Sequence, residues 1–153
     1  GGNTIKEMIA NYKSGNMLAI MDVDQKDVSS YGVISPGNTI EDNVTEILDL
    51  VEKPSIEKAP SNLAVVGRYI IEPAVIEILE QQNRGASNEI QLTDAIASRI
   101  GASNCVGYKF SEERFDCGSK LGFIQANIRF SIERPEMKQN LKSWLKREIV
   151  SDS

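Results

Sequence analysis

Apolar positions along the chain alternate between helical spacing and short continuous runs. Helical spacing after Thr4 predicts an amphipathic first helix ending at Gly15, and the apolar run 17–23 predicts a strand buried on both faces. Similar runs predict further strands at 31–34, 47–51, 62–71 and 105–110. Periodic stretches predict further helices opening at Pro73, running from Asn88 or Glu89 to Ile100, running from Ser119 to Phe130, and following Pro135. This alternation, together with a hairpin, predicts an α/β fold with a mixed β-sheet flanked by helices.

Proline and glycine mark the turns. The segment Ser35-Pro36-Gly37-Asn38 predicts that a hairpin closes there, since proline presets one backbone dihedral and glycine or asparagine accepts a positive one. Pro54 is expected to end strand 47–51, because proline cannot donate to a strand ladder. Gly32 and Gly67 lie inside strand patterns and indicate bulges, or else places where a ligand meets bare backbone.

Length and charge limit the possible functions. The 153 residues suffice for one compact domain, and we expect 1–153 to be a single, partial domain. Subtracting 22 acidic from 17 basic side chains gives −5, which argues against a nucleic-acid partner held by counterion release. The chain contains no histidine, so a Ser-His-Asp relay or an imidazole-ligated zinc is excluded within it.

The cellular compartment is indicated by the cysteines and by the N-terminus. Cys105 and Cys117 fit no zinc spacing, and we expect reduced thiols in a cytoplasmic protein, with a disulfide between them as the alternative. The first residues do not resemble a signal peptide, and no run of about 18 apolar residues predicts a membrane span. Because the chain opens with a helix instead of a first strand and phosphate loop, we expect it to be a portion of a larger protein.

Two positions combine residue types suited to binding a phosphorylated ligand. Glu52 and Lys53 end an apolar strand, where a carboxylate could accept hydrogen bonds from sugar hydroxyls and a lysine could face a phosphate. The alternative is a solvated strand terminus, and both side chains reach one ligand only if the backbone turns at Pro54. Asp116 precedes Gly118 between a strand and a helix, where it could offer oxygen to Mg²⁺ or simply assist the helix start at Ser119.

Two further segments have mainly structural interpretations. Glu89-Ile90-Gln91-Leu92-Thr93-Asp94 is interpreted as the first turns of a helix. Trp144 belongs to an apolar stripe in the last helix, which predicts a docked core face. The helices of 119–150 are alternatively a subunit contact.

Five segments in one order resemble the bacterial UTP:glucose-1-phosphate uridylyltransferases, also called UDP-glucose pyrophosphorylases. They are Tyr31-Gly32-Val33, Val51-Glu52-Lys53-Pro54, the stretch 59–69, the stretch 88–96 and Phe115-Asp116-Cys117-Gly118-Ser119-Lys120-Leu121-Gly122. The resemblance covers nearly the whole chain but only about the C-terminal half of such an enzyme. It therefore implies the C-terminal half of a Rossmann-like nucleotidyltransferase fold.

The resemblance also implies an activity and a set of roles. The family joins glucose 1-phosphate to UTP, releases pyrophosphate and makes UDP-glucose with Mg²⁺. By position in the matching motifs, Glu52 binds glucose hydroxyls, catalytic Lys53 binds the sugar phosphate, Gly32 and Val65 contact the sugar, and Asp116 ligates magnesium.

The family's Gly-rich nucleotide loop and its other metal-binding aspartate do not occur in this chain. We therefore expect the missing N-terminal half of the same protein as a partner, no turnover by this chain alone, and a homo-oligomeric parent enzyme. The rival hypothesis is a noncatalytic module that binds a sugar nucleotide or a protein.

Overall fold

The computed structural model describes residues 4–81, 90–110 and 113–150. They form two compact units, one containing the residues up to 110 and the other containing 113–150. The expectation of a single partial domain remains a prediction.

The first unit combines helices with β-strands. Its helices are α1 (Thr4–Asn11), α2 (Pro73–Gln81) and α3 (Leu92–Ala97), with short 3-10 helices at Gln25–Ser30 and Ile56–Lys58. Its strands are β1 (Asn16–Asp22), β2 (Gly32–Glu41), β3 (Val44–Glu52), β4 (Leu63–Ile70) and β5 (Cys105–Lys109). The predicted helix start at Asn88 or Glu89 lies outside the described residues.

The five strands close into a barrel in the order β1-β4-β2-β3-β5. β1 runs parallel to β5 and antiparallel to β4. β3 runs antiparallel to both β2 and β5, and β2 meets β4 at Val33 and Ala64. The predicted α/β fold with a mixed sheet is therefore confirmed.

β1 is buried on both faces, as its continuous apolar run predicts. Leu18 and Ile20 pack in a cluster that includes Val75 of α2 and Ile96 of α3. Met17 and Ala19 point the other way, into a second cluster that contains Met8 of α1. Alternate side chains of one strand thus join two cores, since successive strand residues face opposite sides of a sheet.

The β2–β3 hairpin corrects one prediction. The strands continue past Ser35-Pro36-Gly37-Asn38 and turn at 42–43, so the hairpin does not close where proline and glycine predict it. Pro36 instead lies opposite Ile47, where the register of the ladder shifts. A proline that cannot donate is accommodated there, because an irregular strand with one paired edge does not require its N–H.

The second unit is a pair of helices, α4 (Lys120–Glu133) and α5 (Pro135–Val150). Ser119 caps α4 by accepting a hydrogen bond from the Gly122 N–H at 3.0 Å, as predicted. The core face predicted for α5 is wrong at Trp144, which is 48% exposed. Other exposed large apolar residues of this unit are Leu121, Phe123, Ile124, Phe130, Met137 and Ile149. In the described ranges, every helix is too short or too polar to cross a bilayer.

Candidate functional site

Gly32 and Glu52 face each other at one end of the β2–β3 ladder. They are register partners, and the Lys53 N–H extends the pairing by donating to the Tyr31 carbonyl at 3.0 Å. The hairpin therefore brings Gly32 next to the pair Glu52 and Lys53, from which it is separated in the sequence by the length of both strands.

Lys53 turns the chain immediately after β3. Its φ is +44°. Among the residues that the structure describes, Lys53 is the only non-glycine residue with a positive φ. This left-handed conformation is unfavourable for a residue with a Cβ, and such strain persists where the surrounding structure enforces it. The turn thus occurs at Lys53, one residue before the expected position at Pro54.

The turn removes the geometric objection to a shared ligand. The Lys53 ammonium lies 3.8 Å from Glu52 Oε1, so both side chains reach the same side of the corner. Lys53 is 59% exposed and Glu52 is 24% exposed. An ion pair this open to solvent contributes less than about 1 kcal/mol to stability. Its cation is available to a phosphate, while the carboxylate is partly sheltered.

Gly32 provides bare backbone beside that carboxylate. A Cβ placed on Gly32 would stand 3.1 Å from Glu52 Oε2 and 3.0 Å from the Thr93 methyl carbon. The ladder is regular at Gly32, so the bulge interpretation is wrong there. The side chains of Glu52 and Thr93 approach the backbone closely at Gly32, and contact with a ligand at this position remains a prediction. The bulge is confirmed at Gly67, where φ is +75° and the β1–β4 register shifts.

Two neighbours of Glu52 were not identified from the sequence. Tyr69 on β4 is half-buried, and burial, then the charge of Glu52, raises the pKa of its phenol. Tyr69 therefore stays protonated at neutral pH and available as a hydrogen-bond donor. Thr93 on α3 lies against Gly32. The only sequence signal for either residue is its position inside a segment that resembles the uridylyltransferases.

Val65 lies in the core of the first unit. It is 6% exposed and belongs to the cluster that also contains Leu50 of β3 and Ile96 of α3. Its side chain helps to fix the sheet under the corner, and its contact with the sugar remains a prediction.

Asp116 lies in the second unit, just before α4. Its Oδ1 accepts a hydrogen bond from the Gly118 N–H at 3.1 Å, and its carbonyl accepts one from the Ser119 hydroxyl at 3.0 Å. These contacts fit the helix-start interpretation, and Asp116 as a whole is exposed. In the parts of the chain that the structure describes, no three His, Cys, Asp or Glu side chains form a group able to hold a metal. Asp116 could thus supply one oxygen ligand, and a Mg²⁺ site needs others.

A cavity of about 510 Å³ lies elsewhere in the first unit, and no predicted site residue lines it. Its polar side chains already have partners. Lys13 pairs with Glu41, Ser14 accepts a hydrogen bond from Asn104, and Ser103 donates to Glu72. An opening whose lysine is already paired with Glu41 is a weaker candidate for binding a phosphate than the corner at Glu52, where an exposed cation and a carboxylate meet.

Cys105 and Cys117 are both free thiols in the structure. The expectation that they are reduced in a cytoplasmic protein remains a prediction. Cys105 is buried in the first unit, and burial, then the charge of Glu72, raises the pKa of its thiol to about 11. Cys117 is exposed in the second unit.

A mixed sheet flanked by helices, with a carboxylate and a lysine beside a bare glycine, is suited to binding a phosphorylated sugar. Residues 2–131 match the nucleotidyl transferase family, and the chain belongs to that family. The resemblance to the uridylyltransferases is confirmed by the relatives described next.

The relatives share most of this chain. It is 39% identical over 142 residues to a UTP–glucose-1-phosphate uridylyltransferase of Streptococcus pyogenes, covering 92% of this chain and 47% of the relative. It is 40% identical over 144 residues to the enzyme of that name from Staphylococcus epidermidis, covering 93% of this chain and 50% of the relative.

Solved structures of UDP-glucose pyrophosphorylases are also similar to this chain. A UDP-glucose pyrophosphorylase complexed with UDP-glucose matches with a TM-score of 0.75 at 42% identity, over 86% of this chain and 49% of that one. The UDP-glucose pyrophosphorylase of Acinetobacter baumannii matches with a TM-score of 0.75 at 30% identity, and the match covers 94% of this chain and 48% of that one. The chain spans about half the length of the relatives that it matches.

Proposed function

We propose that this chain is the sugar-phosphate half of a UTP:glucose-1-phosphate uridylyltransferase, which makes UDP-glucose and pyrophosphate from UTP and glucose 1-phosphate. The observation that carries the proposal is the corner at the end of β3. There a left-handed Lys53 brings its ammonium to 3.8 Å from Glu52 Oε1, beside the bare backbone of Gly32. The names of the relatives supply the substrates.

The proposed roles follow from charge and shape. Glu52 accepts hydrogen bonds from glucose hydroxyls, because an ionised carboxylate is an acceptor only. Lys53 places a positive charge against the sugar phosphate, and Gly32 lets the sugar approach the backbone. Val65 supports the sugar from the core.

The reaction needs alignment more than proton transfer. A phosphate oxygen of glucose 1-phosphate attacks the α-phosphorus of UTP, the bond from that phosphorus to the bridging oxygen breaks, and pyrophosphate leaves with the electron pair. A phosphate monoester has a second pKa of about 6, so near pH 7 the nucleophile is already mostly ionised and needs no general base. A chain without histidine can therefore take part, since positioning and charge stabilisation supply the acceleration.

We propose Asp116 as one ligand of a Mg²⁺ ion. Magnesium prefers oxygen ligands and is usually held by one or two carboxylates together with substrate phosphates. When bound, the ion neutralises phosphate charge. In the full-length enzyme, D116N should raise the Mg²⁺ concentration needed for half-maximal turnover. An unchanged requirement contradicts this assignment.

We propose that the nucleotide site lies mainly in the other half of the protein. The supporting fact is that the chain spans about half of its relatives. We expect no pyrophosphate release from this chain alone with UTP and glucose 1-phosphate. Release by the isolated chain contradicts the half-enzyme proposal.

The main test uses the full-length enzyme and compares two lysines. K53A should lower kcat/KM on the order of 10²-fold, the scale seen when one group that stabilises transition-state charge is removed. K58A removes an equally charged, exposed side chain just after the corner and should leave turnover within about twofold. Near-normal turnover by K53A refutes the assignment.

We propose that α4 and α5 contact a second copy of the protein. Seven large apolar side chains of this unit are exposed in the described chain, and monomers rarely expose extended apolar patches. W144K should shift the full-length protein toward monomer in sedimentation, and a monomeric wild type contradicts this contact.

The exposed apolar side chains of α4 and α5 also favour the second candidate function, a noncatalytic module that binds a protein through these helices. Formation of UDP-glucose by the full-length protein excludes that alternative. For location we propose the cytoplasm, because both cysteines are free thiols.

A further inference from the structure

One buried polar atom beside the corner is unsatisfied. Thr93 is 6% exposed. Among the buried side-chain oxygen and nitrogen atoms in the described part of the chain, its hydroxyl oxygen is the only one without a hydrogen-bond partner. Burying a hydroxyl without a partner is unfavourable, so such groups are rare in native proteins and require an explanation.

Packing explains the size of this side chain but not its hydroxyl. Thr93 turns its methyl carbon toward Gly32, where a Cβ would lie 3.0 Å away. Valine has the same shape with a second methyl group in place of the hydroxyl, and it would fill this space without burying a polar atom. The core therefore gains nothing from the oxygen.

The position of Thr93 points to the sugar. The point 3.0 Å from its methyl carbon is also 3.1 Å from Glu52 Oε2, so the two side chains flank the same stretch of bare backbone at Gly32. Threonine in helices occupies two χ1 wells, and a rotation of about 120° in the right sense places the hydroxyl where the methyl group stood, while the methyl group moves to the position of the Cβ hydrogen. That rotation would turn the oxygen toward Gly32 and toward a ligand lying over it.

We infer that the Thr93 hydroxyl is a further sugar-binding group, which hydrogen-bonds a hydroxyl of the sugar phosphate that Glu52 also holds. This inference rests on the proposed function. The chemistry is complementary, because Glu52 can only accept whereas a threonine hydroxyl can also donate. A sugar hydroxyl that donates to Glu52 can then accept from Thr93. The pair selects a ligand with a hydroxyl at that carbon and disfavours a deoxy analogue.

The test compares T93V with T93S in the full-length enzyme. T93V keeps the shape and removes the hydroxyl, so KM for glucose 1-phosphate should rise about tenfold, while KM for UTP stays within about twofold. T93V should also raise the Tm, because it removes an unsatisfied buried group. T93S keeps the hydroxyl, so its KM should remain near wild type while its Tm falls with the lost methyl group.

A set of deoxy-glucose 1-phosphates distinguishes a direct hydrogen bond between the Thr93 hydroxyl and the sugar from a purely structural role of that hydroxyl. One of these analogues should bind more weakly than glucose 1-phosphate to the wild type but equally well to T93V, because the variant has already lost that contact. A merely structural role for the hydroxyl would weaken all analogues alike.

Two results overturn the inference: an unchanged KM for glucose 1-phosphate in T93V, whatever its Tm, and the absence of coupling to any deoxy analogue. Failure of the proposed function looks different, since the wild type itself then forms no UDP-glucose. In that case calorimetry with glucose 1-phosphate alone replaces KM, and equal affinity in wild type and T93V overturns the inference.

Discussion

The left-handed turn at Lys53 can be tested separately from its charge. K53A and K53G remove the same ammonium and the same exposed ion pair with Glu52, so those losses cancel between the two variants. They differ in the backbone, because only glycine adopts a φ near +44° without a steric penalty.

The magnitude follows from two opposing effects. A left-handed residue with a Cβ is disfavoured by about 1–2 kcal/mol, and K53G relieves this strain. Glycine also makes the unfolded chain more flexible, which lowers the free energy of unfolding of K53G by about 0.5–1 kcal/mol. We therefore expect K53G to be more stable than K53A by roughly 0.5–1 kcal/mol, or a few tenths of a molar in the urea midpoint.

The assay is urea unfolding followed by circular dichroism, with Lys58 as the control. Lys58 ends a short 3-10 helix and does not have a positive φ, so K58G should be less stable than K58A. The sign of the glycine effect should thus invert between the two lysines. A K53G variant no more stable than K53A would show that the turn is not left-handed, and the shared orientation of Glu52 and Lys53 would lose its basis.

Three further predictions concern other parts of the chain. G32A should raise KM for glucose 1-phosphate in the full-length enzyme, because the new methyl group displaces a carboxylate 3.1 Å away; an unchanged KM contradicts the close approach. Hydrogen bonds, first from Arg99, lower the pKa of Glu72 below 4.5, so its stabilising contribution is complete above that value and lost as pH falls through the lowered pKa. The difference in unfolding free energy between wild type and E72Q should therefore shrink in acid, and a constant difference contradicts this. Ellman's reagent should label exposed Cys117 rapidly and buried Cys105 only on unfolding, with C117S removing the fast phase; rapid labelling of both thiols contradicts the burial of Cys105.

Local features could be predicted because their causes lie within a few residues. Ser119 caps α4 through a hydrogen bond to Gly122, and Pro135 opens α5, as the sequence indicates. The buried strand β1 is predicted by its unbroken apolar run. The same holds for the end of β3 before Pro54, which places Glu52 and Lys53 at a strand terminus.

The hairpin shows where local signals fail. Pro36 and Gly37 are typical turn residues, yet the strands pass through them and turn at 42–43. Cross-strand pairing from Val44 to Glu52 outweighs the local preference, and a register shift at Pro36 accommodates the missing donor. The turn preferences of single residues could not show whether the hairpin closes at 35–38 or at 42–43, because the choice depends on pairing with a partner strand.

The amino-acid sequence by itself determined the class of fold, the polar pair at the end of β3 and the lack of histidine among these 153 residues, since these depend on composition and on neighbouring residues. Only the tertiary structure decided that Gly32 is a close approach, that Lys53 is left-handed, and that Thr93 lies beside Glu52 with an unsatisfied hydroxyl. The physical reason is that each of these features is a contact between segments far apart in the chain, or a conformation enforced by such contacts.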